Sequence, residues 1–381
     1  MKKVFLTGGT GFVGGFLAAA LLRRGDKVSF LARSNRNTAA KKRVAEMLNF
    51  AAPHFVFRED SYEVFEGDIT QPNFGLSDVA LANLVNSGID DFFHVGGSIF
   101  YSEKIAPETD RTNIGGTINA LALSELIKPK RFHFTSAAFV CGDKKGIFLE
   151  DELECGQVFH NHYEKTKFIA EGKVREWAKI NPQTKVFVYR PSIVVGDSKN
   201  GAVYGFSGYY NYMRAYYFLR RWLERRKNAS LERDSQGKII LPIEVPGAAD
   251  SPLNVVTIDY VVETIIKLTE KGVAGTYNIT AENPVTYGFW LEESTKLLGF
   301  SGIRIKDSGI NNSGAKNNFC DSIEKKIAAG IKDYLPFVTY EPNFSRANVK
   351  RVLGENYREP PITSGLIKVL LDFAVAHEFA E

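Results

Sequence analysis

Through the first half of the chain, short β-branched or aromatic runs alternate with longer stretches whose apolar residues recur every three or four positions. The runs at 3–7, 27–32, 62–66, 91–95, 131–135 and 185–189 read as strands. The stretches at 12–24, 38–50, 110–127 and 162–180 carry the helical period. Strands separated by helices cannot pair as hairpins, so the pattern predicts βαβ units and a parallel sheet covered on both faces. Right-handed crossovers make that sheet doubly wound, an α/β fold. Near Gly196 the pattern changes to a Gly- and Ser-rich segment, an aromatic and basic stretch over 209–227, and a Pro-punctuated run over 241–252. A helix at 259–269 and a strand at 275–280 follow, then helices and polar loops, including the Asn- and Gly-rich stretch 308–318. The expected organisation is a first domain over 1–196, to which 253–280 returns. A smaller, mainly helical C-terminal cap takes 197–252 and 281–381.

The first predicted strand runs into Gly8-Gly9-Thr10-Gly11-Phe12-Val13-Gly14, and a helix begins there. Glycines at this spacing permit positive φ, close backbone approach to a pyrophosphate and tight helix–strand packing, the signature of a Rossmann dinucleotide site. The pyrophosphate would sit on the helix N-terminus. Glycine spacing alone is weak evidence, but its place between a first strand and a first helix is specific. NAD-binding proteins put an acidic residue about 20 positions further on, where it bonds the ribose 2′-hydroxyl. Arg33 stands there instead, with Arg36, Lys42 and Arg43 nearby. An arginine pairs with a 2′-phosphate, so NADP(H) is the expected cofactor. The bland reading of Arg43 is a solvated basic helix face.

Composition narrows the class without naming a reaction. The 381 residues are 44% hydrophobic and 24% charged, with a net charge of +4. That balance is ordinary for a globular chain and too small to announce a nucleic-acid partner. Cys141, Cys155 and Cys320 are odd in number and lack CxxC spacing, so neither a disulfide framework nor a metal site is expected. No apolar run approaches membrane-spanning length, and a cytoplasmic protein is the simplest expectation.

Tyr163 and Lys167 stand four apart on a predicted helix that follows the fifth strand. Of sixteen tyrosines, this is the one with a lysine at that spacing. An ammonium one turn away is expected to lower the phenol's pKa and to reach a nicotinamide ribose. The phenol could then give a proton to a carbonyl oxygen as hydride arrives at carbon.

With these residues in place the chain resembles the extended short-chain dehydrogenase/reductases. The resemblance rests on TGGTGFVG (residues 7–14), Gly67-Asp68, His94–Gly97 (HVGG), Asn113 in NIGGT and the YEKTK pentad. It implies cofactor contacts from Thr7, Gly8, Gly9, Thr10, Gly11, Phe12, Val13 and Gly14. Arg33 and Arg43 would hold the ribose phosphate, while Asp68 and Ile69 would flank the adenine. Val95 and Gly96 would pass beside the dinucleotide, with Thr135 at its strand end, and Asn113 would support the site through its helix. Pro191, Ser192 and Ile193 fall in a loop that would contact the nicotinamide. Looser likenesses over 189–201, 253–265, 275–286 and the C-terminal segment resemble a narrower group, the fatty acyl-CoA and carrier-protein thioester reductases. That resemblance implies NADPH-dependent reduction of an acyl thioester to an aldehyde or alcohol. A ketone reductase, a nucleotide-sugar epimerase or dehydratase, and a non-catalytic NADPH-binding protein are the alternatives.

One position departs from the family. A Ser or Thr normally polarises the substrate carbonyl where this chain has Ala137. Losing one such donor commonly costs about 10²–10³ in rate. Ser136 is the candidate replacement, although adjacent strand residues face opposite ways. His160 and His162 read as polar residues at a helix start, His94 as packing or chemistry at a strand end, and Cys141 as packing. Tyr209, Tyr212, Met213, Tyr216, Leu219 and Leu223 form a stripe, with Arg220, Arg221, Arg225, Arg226 and Lys227 beyond it. Its functional reading is an apolar lid over an acyl chain, whose basic end meets CoA phosphates, an acidic carrier protein or an anionic membrane surface. Its bland reading is a cap helix packed by aromatics.

Overall fold

The computed structural model describes residues 1–226, 231–306, 318–340 and 342–380. Lys227 and residues 308–317 of the polar loop, both singled out from the sequence, lie outside the described residues.

The chain divides into two compact units. The first comprises Met1–Val194, Ile258–Thr280 and Pro342–Glu359. At its centre is a seven-stranded, wholly parallel sheet built from β1 (Lys3–Thr7), β2 (Lys27–Ala32), β3 (Tyr62–Glu66), β4 (Asp91–His94), β5 (Arg131–Thr135), β6 (Lys185–Pro191) and β7 (Gly275–Ile279). The order is β3-β2-β1-β4-β5-β6-β7. Strand order reverses between β1 and β4, which opens the crevice where doubly wound sheets take ligands, at the carboxyl ends of the strands.

The helices that position the crevice are α1 (Phe12–Arg23), α2 (Ala40–Ala51), α3 (Asp78–Asn86), α4 (Gly116–Ile127) and α5 (His162–Ile180). Strand alternation sends Phe5, Phe92 and Phe132 to one face of the sheet, where they pack with Leu121, Ala170 and Trp177 of α4 and α5. On the opposite face His133 stacks on Phe93 with ring centres 4.0 Å apart and bonds Asp91 and Tyr189. The expected helix over 110–127 is in fact three pieces: an α-helical turn Ala106–Asp110, a π-helical turn Arg111–Gly115, and α4. The π turn shifts the register by one residue where Asn113 faces inward, a common device at functional sites.

One boundary differs from expectation. Pro342–Glu359, assigned from the sequence to the cap, belongs to the sheet unit. Hydrogen bonds hold it there. Asn278 of β7 donates to the Ser345 carbonyl at 2.9 Å, and Arg346 reaches the Tyr260 hydroxyl at 2.7 Å. Tyr260 lies on α6 of the sheet unit's returning segment, Ile258–Lys271.

The second unit comprises Val195–Thr257, Ala281–Glu341 and Pro360–Glu381. Its helices include Tyr209–Glu224, Tyr287–Leu297 and Ser364–Ala376. The aromatic stripe, weighed from the sequence as a roof over an acyl chain or as a packed cap helix, lies in this unit. Tyr210, Met213, Tyr216 and Leu223 are buried, and the Tyr210 hydroxyl accepts the Gly196 N–H at 3.0 Å. The Tyr212 hydroxyl lies 3.1 Å from those of both Tyr216 and Tyr287. Phe218 and Trp222 of the same helix are exposed, and Arg226 stacks 4.1 Å from the Trp222 ring.

Candidate active site

The glycine turn closes on itself. Gly8 has φ +77°, and a Cβ there would lie 2.5 Å from the Gly96 nitrogen, so its missing side chain lets β1 and β4 meet at their ends. A Cβ at Gly14 would stand 2.2 Å from the Gly8 carbonyl oxygen, so this glycine serves the turn itself. The Gly11 N–H donates to the Gly8 oxygen at 3.0 Å, and α1 starts at Phe12 with no side-chain cap on Gly11. Its first N–H groups beside Thr10, Phe12 and Val13 are left for an anion. Gly9 packs on Phe30 rather than on the crevice.

Thr7, expected among the cofactor contacts, is fully buried and spends its hydroxyl within the protein. The Thr7 Oγ1 lies 2.9 Å from His94 Nδ1 and accepts the Gly96 N–H at 3.2 Å. The other His94 nitrogen meets the Thr117 hydroxyl at 3.3 Å. Burial, then the charge of Lys167, pushes the His94 pKa down to about 3, so this ring is a neutral brace between β1, β4 and α4.

At the end of β2 the Arg33 guanidinium is exposed and lies 3.2 Å from the Asp68 carboxylate. Arg43 donates to the Arg33 backbone carbonyl at 2.6 Å. Asp68 also accepts the Thr70 N–H at 2.9 Å, and Asn119 holds the Ile69 carbonyl at 2.8 Å. Ile69 packs where Gly96 and Gly116 leave room, beside Val95.

Asn161 caps α5 by accepting the Glu164 N–H at 2.9 Å, and Glu164 accepts the His160 N–H at 2.9 Å in return. This reciprocal cap fixes the helix start and so aims Tyr163. His160 also bonds Glu164 through its ring, and His162 lies 2.8 Å from Asp110. One turn on, Lys167 donates to the Thr135 carbonyl at 2.5 Å and lies 4.6 Å from the centre of the Phe134 ring. Burial lowers its pKa to about 8 against the pull of Glu171. The Tyr163 hydroxyl has no hydrogen-bond partner among the described residues. Burial and the Glu164 carboxylate raise its pKa above the ordinary phenol value. The expectation that Lys167 lowers this pKa is therefore corrected: the ammonium is turned to the β5 carbonyl, and burial governs the phenol.

Asn113 links this helix to the end of β4. Its amide accepts the Ser98 N–H at 2.7 Å, donates to the Ser98 carbonyl at 3.0 Å and donates to the Thr166 hydroxyl at 2.9 Å. Three residues beyond Ser98, the Tyr101 ring lies 5.6 Å from that of Tyr163.

Ser136, the candidate replacement, is only 3% exposed and spends its hydroxyl on Glu171, to which it donates at 2.6 Å. Glu171 in turn holds Arg190 at 2.7 and 3.0 Å and Arg175 at 2.9 Å. Arg190 and Glu171 are fully buried, and Arg190 also ties down the carbonyl of Glu152 at 2.6 Å. The network anchors the loop that leads to Tyr163. Sequence reasoning missed it; the Asn161-x-x-Glu164 capping signature was legible and went unused.

At the ends of β6 and β7, Ser192 donates its N–H to the Ile279 carbonyl at 3.2 Å, beside Pro191 and Ile193. The buried Ser192 hydroxyl has no hydrogen-bond partner among the described residues. The open α1 N-terminus, Arg33 and this orphaned hydroxyl at the same carboxyl edge of the sheet fit a nicotinamide dinucleotide. Among the described residues no group of three or more His, Cys, Asp or Glu could hold a metal ion, and no helix is long and apolar enough to cross a membrane.

Residues 6–265 match the NAD-binding family described as Male sterility protein. The chain is similar to the nonribosomal peptide synthetase asaC of Aspergillus flavus, 28% identical over 210 residues, which cover 52% of this chain and 20% of that one. L-2-aminoadipate reductase of Saccharomyces cerevisiae is 29% identical over 221 residues, covering 52% of this chain and 16% of its own. The chain thus spans a fifth or less of these relatives' length. In fold it is similar to the terminal R domain of the myxalamid PKS-NRPS biosynthetic pathway, with TM-score 0.77, 22% identity, and coverage of 100% of this chain and 92% of that one. The protein belongs to the NAD-binding family described as Male sterility protein.

Proposed function

We propose that the protein is an NADPH-dependent reductase of acyl thioesters, carried on CoA or on a carrier protein, and that it releases an aldehyde and a thiol. The observation that carries this reading is a Tyr163 hydroxyl without a hydrogen-bond partner among the described residues, one turn from a Lys167 anchored on Thr135, at the carboxyl edge of the sheet that bears the glycine turn. Arg33 and Arg43 would hold the 2′-phosphate, the α1 N-terminus the pyrophosphate, and Ser192 the nicotinamide end. The bound nicotinamide supplies hydride to the thioester carbon.

The chain's own residues do the rest. Tyr163, whose raised pKa keeps it protonated at neutral pH, gives its proton to the carbonyl oxygen as negative charge builds there. Lys167, fixed by Thr135, holds the ribose and presents a cation near that oxygen. The resulting hemithioacetal breaks its carbon–sulfur bond, leaving aldehyde and free thiol. The names of the relatives, a peptide synthetase and an aminoadipate reductase, support an acyl thioester on a carrier over a free ketone.

The test mixes the protein with NADPH and acyl-CoA or acyl-carrier substrates of several chain lengths, following cofactor oxidation and thiol release together. One thiol per NADPH is expected if the product stops at aldehyde, and one per two if it goes on to alcohol. No thioester-dependent oxidation with either carrier would overturn the proposal.

A further inference from the structure

The helix Tyr209–Glu224 of the second unit has two faces of different character. Tyr210, Met213, Tyr216 and Leu223 are buried and fix one face to the unit. On the other, Asn211, Ala215, Phe218 and Trp222 recur at the helical period, and all four are exposed. Arg225, one step further along, continues the stripe. The solvent face of a helix is ordinarily charged and polar, so two neighbouring rings that are 46% and 44% exposed stand out of place there.

The rings sit among arginines. The Arg226 guanidinium lies 4.1 Å from the centre of the Trp222 ring, and that of Arg214 lies 6.0 Å from Phe218. The carboxylates nearby are already engaged, Glu224 with Arg220 at 3.0 Å and Glu378 with Arg221 at 2.8 Å. Arg214, Arg225 and Arg226 have no ion-pair partner among the described residues. The face is therefore aromatic at its centre and cationic along about 16 Å of helix from Arg214 to Arg225.

Charge and burial decide what covers it. A second copy of this chain, related by a two-fold axis, would set arginine against arginine. A lipid bilayer would take each ring in together with its guanidinium. Burial of a large apolar side chain contributes about 1.5–3 kcal/mol, and an arginine in the acyl layer costs about 2.5–3.5 kcal/mol, so insertion gains nothing. A protein surface with carboxylates around an apolar groove satisfies both parts. It covers the rings and accepts bidentate hydrogen bonds from the arginines, and Trp and Arg are the side chains that dominate the energy of such interfaces.

Building on the thioester reading above, we propose that this face docks the protein that carries the acyl thioester. The partner is an acidic carrier whose carboxylates pair with Arg214, Arg225 and Arg226 while an apolar groove covers Phe218 and Trp222.

The experiment places one acyl group on three thiols, pantetheine, CoA and an acidic acyl-carrier protein. NADPH oxidation is measured for wild type and for two double variants, Phe218→Ser with Trp222→Ser and Arg214→Glu with Arg225→Glu. Thermal melting and an NADPH titration confirm that both variants are folded and bind cofactor. The expected result is a kcat/KM for the carrier thioester lower by on the order of 10- to 100-fold in both variants, through KM, with the pantetheine thioester used about as well as before. Added salt should erode the preference of wild type for the carrier over pantetheine. Equal kcat/KM for the carrier thioester in all three proteins, a wild type without preference for the carrier, or losses of the same size on pantetheine or CoA each overturn the docking face and leave the thioester reading standing. Binding to phosphatidylserine vesicles that both variants lose, with carrier kinetics untouched, assigns the face to a membrane and overturns the proposal too. Inertness of wild type toward all three thioesters overturns the thioester reading, and the docking proposal falls with it.

Discussion

Lys167 reaches across from its helix to the carbonyl oxygen of Thr135, 2.5 Å away, at the last residue of β5. The contact joins α5 to the sheet at the point where the crevice opens, and it holds a cation in a place only 6% exposed. The consequence is a lysine whose pKa is pulled to about 8 by burial.

That pKa gives a signed pH dependence. A cation whose pKa is lower in the folded than in the unfolded chain costs stability when pH lies below both values. The cost is relieved as pH climbs from about 8 toward 10.5. Urea melts of the cofactor-free protein should therefore show wild type gaining on Lys167→Met between pH 8 and 10. Parallel curves would refute it. Turnover by wild type should fall over the same range as the ammonium is lost.

Tyr163→Phe removes the proton donor and keeps the ring against Tyr101. We expect kcat to fall by about 10²–10⁴ while the NADPH dissociation constant stays within a few-fold. Because burial raises this phenol's pKa, the alkaline limb of the wild-type profile should show no tyrosine ionisation below pH 9. A variant with near-normal kcat would remove Tyr163 from the chemistry.

Arg33→Ala should weaken NADPH binding by about tenfold to a hundredfold, the range of one charged hydrogen-bonding partner, and change NADH binding little. Fluorescence titration with both cofactors reads the ratio. Asp68→Asn releases Arg33 from its ion pair and should move the ratio the other way. Equal effects of Arg33→Ala on both cofactors would count against a 2′-phosphate site.

The corrected role of Ser136 is checked by stability against activity. Ser136→Ala should retain kcat within a few-fold and lose about 1–3 kcal/mol of stability, because a buried hydrogen bond to Glu171 goes unmade. Glu171→Ala leaves the Arg190 cation buried and unpaired, and should lose about 3–5 kcal/mol. A large kcat effect at Ser136 with unchanged stability would reverse the correction.

Much of this was written in the sequence because it depends on local pattern. Strand and helix periods, the glycine turn, the single Tyr–Lys spacing and Arg33 follow from neighbours within a few residues. What was not legible depends on who meets whom after the chain has turned many times. Nothing near Ser136 announces Glu171, 35 positions away, nor Arg190 behind it. Tyr101 meets Tyr163 across 62 residues (163 − 101) through a loop set by Asn113, with no period to betray it. The electrostatics of Lys167 and Tyr163 failed for the same reason: one turn of helix brings two side chains near each other but does not say which way each will turn, or how deeply each is buried. For the stripe over 209–223 the sequence left a lid and a packed cap helix both open, since the period of a helix does not reveal what covers it.

The late return of Pro342–Glu359 to the sheet unit bears on how the molecule is made. Glu150, 2% exposed, accepts N–H groups from Asn278, Asn348 and Val349, and two of those three donors emerge from the ribosome almost two hundred residues after it. A nascent chain that has not yet reached Pro342–Glu359 holds that carboxylate without its helix-end donors, so the loop that carries Tyr163 toward the crevice is finished only once this segment has been made. Truncation ahead of Pro342 thus removes a keystone.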